Sequence, residues 1–376
     1  MDDRIFVFGV AATGSNFTDR EYETQRLLNN FQHGVNTILI SPRRWGKTSL
    51  VKKVASLAQS DHLKVVYLDI FSCRSDREFY TAFASAVFRQ TASRFEELID
   101  DAKTFLSRLT PQLTFGPDPM TDFSLSLNMA DEERSAEEIL SLPQRIAERK
   151  GIKIVICLDE FQQIGEFRDS HTFQKRLRSI WQLQTRVSYC LFGSKRHLMN
   201  EIFESRSQPF YKFGDAVYLQ KIPSEHWVSY IMKQFENSGK SISPEMAERI
   251  CLTVDNHSSY VQQLAWLIWI HTTNKVTETA FDDGFKDLLA QNTPLFERQT
   301  ENLTAPQFNY LIALAQGVTQ GLSSQETLSK YQLGSSANVA VIKKALIRQE
   351  LVDTEGGRVV LADPILGRWL LMKSNV

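Results

Sequence analysis

Residues Ser41-Pro42-Arg43-Arg44-Trp45-Gly46-Lys47-Thr48-Ser49-Leu50 follow the apolar run Ile38-Leu39-Ile40 and lead into Val51, Val54, Leu57 and Ala58 at helical spacing. The pattern is that of a phosphate-binding loop, G-x-x-x-x-G-K-[ST], between a strand and a helix, with Ser41 at the first glycine position. Each residue type supplies one part of the chemistry. Gly46 lets the backbone curl so that successive N–H groups face phosphate oxygens. Lys47 brings an ammonium to the β- and γ-phosphates, and the Thr48 hydroxyl is a hard oxygen ligand for Mg²⁺. The helix that starts here points the positive end of its dipole at the anion. A non-glycine residue at position 41 must keep φ negative, which serine can do. The run Ser41 to Ser49 is therefore the candidate nucleotide cradle, with ATP and Mg²⁺ as the expected ligands.

A second run completes the chemistry. Val155-Ile156-Cys157-Leu158-Asp159-Glu160 is an apolar strand ending in two acids. In an open α/β sheet, ligands bind outside the carboxyl ends of the strands. Asp159 is the candidate for the Mg²⁺ shell opposite Thr48, and Glu160 for orienting and polarising an attacking water. A further apolar run ends in Leu191-Phe192-Gly193-Ser194-Lys195-Arg196, which makes Ser194 a candidate sensor of the γ-phosphate or the lytic water. Arg206, ahead of Pro209-Phe210-Tyr211, is a candidate arginine finger in cis or trans; a surface arginine is the alternative.

These residues need a sheet to bring them to one edge. Five short apolar runs read as buried parallel strands: Thr37–Ile40, Val65–Ile70, Ile154–Leu158, Ser188–Phe192 and Ala216–Leu219. Helical patterns lie between them, including one over Glu78–Ile99 and one over Phe173–Gln184, as right-handed crossovers require. The expected fold is a doubly wound α/β phosphate-loop domain over residues 1–222. A Pro- and Gly-rich stretch, 105–133, interrupts it with a hairpin of Gln112–Phe115 and Phe123–Leu127. Residues 223–298 read as all helix, with Ser224 and Ser243 as caps. From 299 to 376 a helix–turn–helix precedes two strands around Gly356-Gly357, which is a winged-helix arrangement. Its candidate nucleic-acid contacts are Lys343, Lys344 and Arg348 on the recognition helix and Arg358 on the wing.

Composition narrows the class. The chain carries 43 basic and 44 acidic residues, so no global charge draws it to nucleic acid or an anionic membrane. Cys73, Cys157, Cys190 and Cys251 form no CxxC, and read as buried thiols of a reducing compartment. Met1-Asp2-Asp3-Arg4 opens no signal peptide, and no uncharged apolar stretch reaches membrane-spanning length. A cytoplasmic protein without a membrane partner is expected.

Together these motifs resemble the archaeal-type ATPase family, a branch of the STAND signal-transducing P-loop ATPases within the AAA+ group. Phe17-Thr18-Asp19-Arg20-Glu21-Tyr22-Glu23 is similar to the family's entry motif, which implies that Arg20 and Glu21 lie near the adenine and the loop. The double arginine in Ser41–Leu50 is typical of the group, and Asp159-Glu160-Phe161-Gln162 is similar to its hydrolysis motif. Asn256-His257-Ser258-Ser259-Tyr260 is similar to a Gly-x-Pro-type lid motif, with Asn256 and Ser258 where Gly and Pro are common; the resemblance implies a nucleotide contact by His257. Asp363-Pro364-Ile365-Leu366-Gly367-Arg368-Trp369-Leu370 resembles the family's closing motif. Origin-recognition initiator ATPases share this order of domains.

The expected function is an ATP-binding and hydrolysing switch, slow or partner-stimulated, that couples nucleotide state to the winged helix. The output module then reads double-stranded DNA or a protein partner. Glu301–Val376 carries seven Lys and Arg against six Asp and Glu, a small charge for a sequence-reading wing. A DNA-binding initiator-like or regulatory ATPase is the alternative, followed by binding without turnover or a small-molecule kinase. Assembly of copies on ATP, frequent in STAND proteins, is a further expectation.

Overall fold

The computed structural model describes residues 4–106, 112–115, 123–126 and 132–374. They divide into two compact units, one of residues 20–220 and one that joins residues 4–19 to 221–374. The first unit runs α1 (Glu21–His33), β1 (Thr37–Ile40), α2 (Lys47–Ala58), β2 (Leu63–Asp69), α3 (Asp76–Thr91), α4 (Phe95–Phe105), β3 (Gln112–Phe115), β4 (Phe123–Ser126), α5 (Glu132–Lys150), β5 (Lys153–Asp159), α6 (Ser170–Trp181), β6 (Val187–Gly193), α7 (Arg196–Glu204) and β7 (Asp215–Tyr218).

Five of these strands form one parallel sheet in the order β2-β5-β6-β1-β7. Strands β1 and β6 are buried along their whole length, and β5 from Ile154 onward. Such runs belong in a parallel sheet with both faces covered. The register sets the C-terminal ends side by side: Ile40 pairs with Gly193 and with Tyr218, and Asp69 pairs with Asp159. The sheet is the expected doubly wound fold, with all five expected strands in it. Strands β3 and β4 form a separate antiparallel pair. Leu127 and the Pro111, Gly116, Pro117 and Pro119 cluster lie outside the described residues.

One expected helix is two. Glu78–Ile99 breaks at Ala92-Ser93-Arg94, where Ala92 and Arg94 are extended. The Ser93 N–H donates to Glu97 Oε2 at 2.6 Å, which starts α4 afresh. Helix α4 buries Leu98, Ala102 and Phe105, which continue the helical spacing of Ala84, Val87 and Thr91 in α3, so the apolar periodicity runs through the break unchanged.

The second unit contains α8 (Ser224–Asn237), α9 (Pro244–Thr253), α10 (Ser258–His271), α11 (Glu278–Thr300), α12 (Ala305–Ala315), α13 (Gln325–Lys330), α14 (Ser336–Arg348), β8 (Val352–Glu355), β9 (Arg358–Leu361) and α15 (Pro364–Ser374). Ser243 caps α9 as expected, accepting from Met246 N. Ser224 does not cap α8; Pro223 holds that position, and Ser224 Oγ donates to Asn256 Oδ1 at 3.0 Å. Gly356 and Gly357, with φ of +54° and +79°, make the tight turn between β8 and β9.

A single hydrophobic core runs through this unit, from Tyr230 and Val261 to Tyr310 and Trp369. Helix α11 continues without a break past residue 298, and its Phe296 packs on Trp369 at 5.9 Å. Tyr260 of α10 donates to Asp363 Oδ2 at 2.6 Å, while Asp363 Oδ1 accepts from Ile365 N at the start of α15. Residues 4–19 close the same core. Phe6 packs against Tyr230 and Phe235 at 6.2 and 5.8 Å, and Val7 N donates to Gln262 Oε1 at 2.8 Å. Among the described residues no helix is long and apolar enough to cross a membrane.

Helices α10 and α11 pack closely because Gly284 has no side chain. A Cβ there would lie 2.8 Å from Ile268 Cγ1 and 2.9 Å from Ile268 N. The change Gly284→Ala is expected to cost about 1–3 kcal/mol by forcing the helices apart. A fall in the urea midpoint with unchanged slope would show it; an unchanged midpoint would show that the pair yields freely.

Candidate functional site

The loop after β1 turns on two left-handed residues, Arg44 at φ +62° and Gly46 at φ +93°. Ser41 is not among the residues with positive φ, so serine brings no backbone strain to the first glycine position. Its hydroxyl donates to Pro42 O at 3.1 Å. Lys47, the first residue of α2, folds back over the loop, with Nζ donating to Pro42 O at 2.8 Å and Ser41 O at 3.0 Å. The side chain is only 5 % exposed. Burial pushes its pKa down to about 8, while the charges of Glu160 and Asp159 act in the opposite direction. A buried ammonium whose described hydrogen-bond partners are neutral oxygens fits an incoming phosphate anion.

The two acids stand apart in role. Asp159 Oδ2 accepts from Thr48 Oγ1 at 3.0 Å and from Tyr67 OH at 2.6 Å, and Asp159 Oδ1 accepts from the Glu160 N–H. Burial raises the Asp159 pKa against the two hydroxyl donors that lower it. A hydroxyl and a carboxylate in contact are hard oxygen donors, the set that Mg²⁺ takes. Glu160 sits at φ +55°, just past the end of β5. Its Oε2 accepts from Ser194 Oγ at 2.8 Å and from the Gln162 side-chain amide. The structure thus brings Lys47, Thr48, Asp159, Glu160 and Ser194 together at one edge of the sheet.

Arg20 joins this site from a distance of 25 residues in sequence. It is buried, and its guanidinium donates to Trp45 O at 3.2 Å and to Glu23 Oε1 at 3.2 Å. Helix α1 is held for this by Arg26, whose Nε donates to Asp215 Oδ2 on β7 at 2.9 Å. Trp45 and Ser49 are buried; Arg43 and Arg44 are exposed, as is Glu21 at the start of α1. Arg206 is exposed on the turn after α7, and none of its described contacts is to Glu160 or Lys47. His257 belongs to the second unit, where it precedes α10 and packs on Tyr260 at 4.7 Å between ring centres. On α14, Lys344 and Arg348 are exposed and Lys343 is half-buried; Arg358 is exposed on the wing.

Two contacts were not anticipated. Tyr67 stands on β2 opposite Cys157, two residues short of the Asp69–Asp159 pair, and reaches diagonally across the strands to Asp159. Gln162 closes the Asp159-Glu160-Phe161-Gln162 motif, and no spacing rule points its side chain at Glu160.

A family model described as an ATPase domain predominantly from Archaea matches residues 17–264. A winged-helix domain model matches residues 294–372. No curated protein matches the chain. Among solved structures, a Walker-type ATPase of Pyrococcus abyssi is similar at 15 % identity and a TM-score of 0.70, covering 98 % of this chain and all of that one. The ORC2 protein of Aeropyrum pernix, in its ADPNP–ADP complexes, is similar at 15 % identity and a TM-score of 0.59, covering all of this chain and 99 % of that one. The phosphate-binding loop, the acid pair at the end of β5 and the winged helix thus stand in a known order, and the chain belongs to the family of ATPase domains found predominantly in Archaea.

Proposed function

We propose that this protein binds ATP with Mg²⁺ at the Ser41–Ser49 loop, hydrolyses it, and uses the nucleotide state to control what its winged helix engages. The observation that carries this reading is the pair of contacts Thr48–Asp159 and Ser194–Glu160 beside the buried Lys47. Lys47 neutralises the β- and γ-phosphates. Thr48 and Asp159 would hold Mg²⁺, which when bound neutralises developing charge between the phosphates. Glu160 orients and polarises the attacking water, and Ser194 holds the carboxylate that does so. Arg20 holds the loop through the Trp45 carbonyl.

Turnover is expected to be slow in isolation and stimulated by a partner or a second copy that brings a cation to the γ-phosphate. Arg206, exposed on its turn, is the candidate for that role. Release of free phosphate without any acceptor substrate would support hydrolysis; its absence with a phosphorylated acceptor would mean a small-molecule kinase. Sizing the protein with ATP analogue, ADP and no nucleotide tests assembly on ATP. The buried free thiols support a cytoplasmic setting.

For the output, a protein partner is the favoured reading. The exposed face of α14 sets Val341, 66 % exposed, one turn before Lys344 and two turns before Arg348. A mixed apolar and basic face over a nearly neutral module suits docking better than phosphate tracking. The exposure of Lys344, Arg348 and Arg358 supports DNA as the second reading. A salt titration of duplex binding decides between them: no affinity at low salt is expected for the protein reading, and a linear fall of log affinity with log salt for DNA.

A further inference from the structure

We propose that Gln162 is a positioning residue of the hydrolytic site: its side-chain amide fixes the Glu160 carboxylate against Ser194, and residue 193 is glycine to admit it. The inference rests on the reading of Glu160 as the residue that orients the attacking water. Three observations carry it. Glu160 Oε2 takes two donors, Ser194 Oγ from the end of β6 and Gln162 Nε2 from the turn after β5. That leaves Oε1 as the oxygen that can accept from a water. Gln162 is 3 % exposed, and its Oε1 is buried without a described hydrogen-bond partner. A buried orphan carbonyl calls for an explanation; here the amide is turned so that its nitrogen, rather than its oxygen, meets the carboxylate. Finally, the space that Oε1 occupies exists because Gly193 has no side chain. A Cβ at position 193 would fall 1.8 Å from Gln162 Oε1 and 2.9 Å from Met199 Sδ. Methionine can rotate away from a methyl group. The glutamine amide cannot do so while keeping its nitrogen on Glu160.

The two donors come from different elements. Ser194 follows the neighbouring strand β6, and Gln162 lies in the short 3-10 helix Phe161–Glu166 that Glu160 caps, so one carboxylate oxygen is tied to two elements. A general base must be held close to its productive geometry, and small misplacements slow the chemistry sharply. The Glu160 backbone caps that short helix, its carbonyl accepting from Gln163 N at 2.9 Å, but this does not fix the end of its side chain, which accepts from Ser194 and Gln162. Gln162 supplies that restraint.

The test is a cycle of Gln162→Ala, Gly193→Ala and the double variant, with Glu160→Gln as reference. Steady-state turnover, ADP affinity and urea midpoint are measured for each. Gln162→Ala is expected to lower kcat about 10- to 100-fold, with ADP affinity within twofold of wild type. Gly193→Ala is expected to lower kcat and the urea midpoint, because its methyl evicts the amide. The double variant is expected to match Gln162→Ala in kcat and to regain midpoint relative to Gly193→Ala, since the clash has gone. A kcat for Gln162→Ala within twofold of wild type, while Glu160→Gln is inactive, overturns the inference and leaves the hydrolytic reading in place. Additive midpoint losses in the double variant also overturn it, whatever the turnover. If Glu160→Gln hydrolyses ATP as fast as wild type, the hydrolytic reading fails and the positioning role fails with it.

Discussion

Glu160→Gln is expected to reduce ATP turnover by roughly 10²- to 10⁴-fold while leaving ATP and ADP affinity within a few-fold of wild type. Glutamine keeps the length and shape of the side chain, and its amide oxygen can still accept from Ser194 Oγ, the donor that Glu160 Oε2 accepts at 2.8 Å. What is lost is the negative charge that draws a proton from the attacking water. The backbone at residue 160 has φ +55°, a conformation that neither side chain favours over the other, so the local fold is preserved. Phosphate release in steady state and a fluorescent-nucleotide titration give the two numbers. Turnover within threefold of wild type would remove Glu160 from the chemistry and direct attention to binding without hydrolysis.

Lys47→Ala is expected to weaken ATP binding by about 10²- to 10³-fold, in line with the roughly 3–5 kcal/mol lost when one partner of a buried ion pair is removed. The same change is expected to leave the nucleotide-free protein at least as stable as wild type. The buried Nζ meets neutral oxygens of Pro42 and Ser41 rather than a carboxylate, and burial already pushes its pKa down to about 8. Desolvating that ammonium costs stability that an anion returns. Loss of affinity with an unchanged or raised thermal midpoint is therefore the signature of a phosphate-binding lysine. Loss of affinity together with a large fall in midpoint would instead mark Lys47 as a structural clamp of the loop, and unchanged affinity would exclude the loop as the nucleotide site.

The site was legible where local chemistry and strand ends coincide. Ile38–Ile40, Ile154–Leu158 and Ser188–Phe192 are apolar enough to be buried strands on their own evidence, and the polar residues that follow each of them must then share one edge of a parallel sheet. That logic reaches Lys47, Thr48, Asp159, Glu160 and Ser194, which the fold brings together. It does not reach Tyr67. Its contact with Asp159 depends on β2 lying beside β5, and strand order is a property of the whole sheet. Nor does it reach the match between Gly193 and Gln162, because a missing Cβ is informative only when the neighbour that fills the space is known. The break between α3 and α4 was hidden for a different reason. Both halves are good helix, and only Glu97 reaching back to Ser93 tells where one stops.

The N-terminal stretch has a consequence for how the chain is made. Val7 and its partner Gln262 are 255 residues apart, and the whole of residues 20–220 is synthesised between them. At about 5–20 residues per second, translation takes roughly 13–50 s to bridge that gap. During this time the α/β unit can complete itself, while Phe6 and Val7, made before it, wait for Tyr230, Phe235 and Gln262. Synthesis order is thus the reverse of closing order here: apolar residues made before the α/β unit are covered after it. A nascent chain halted before α8 would carry a finished α/β unit with Phe6 and Val7 uncovered, the kind of surface that holdase chaperones bind.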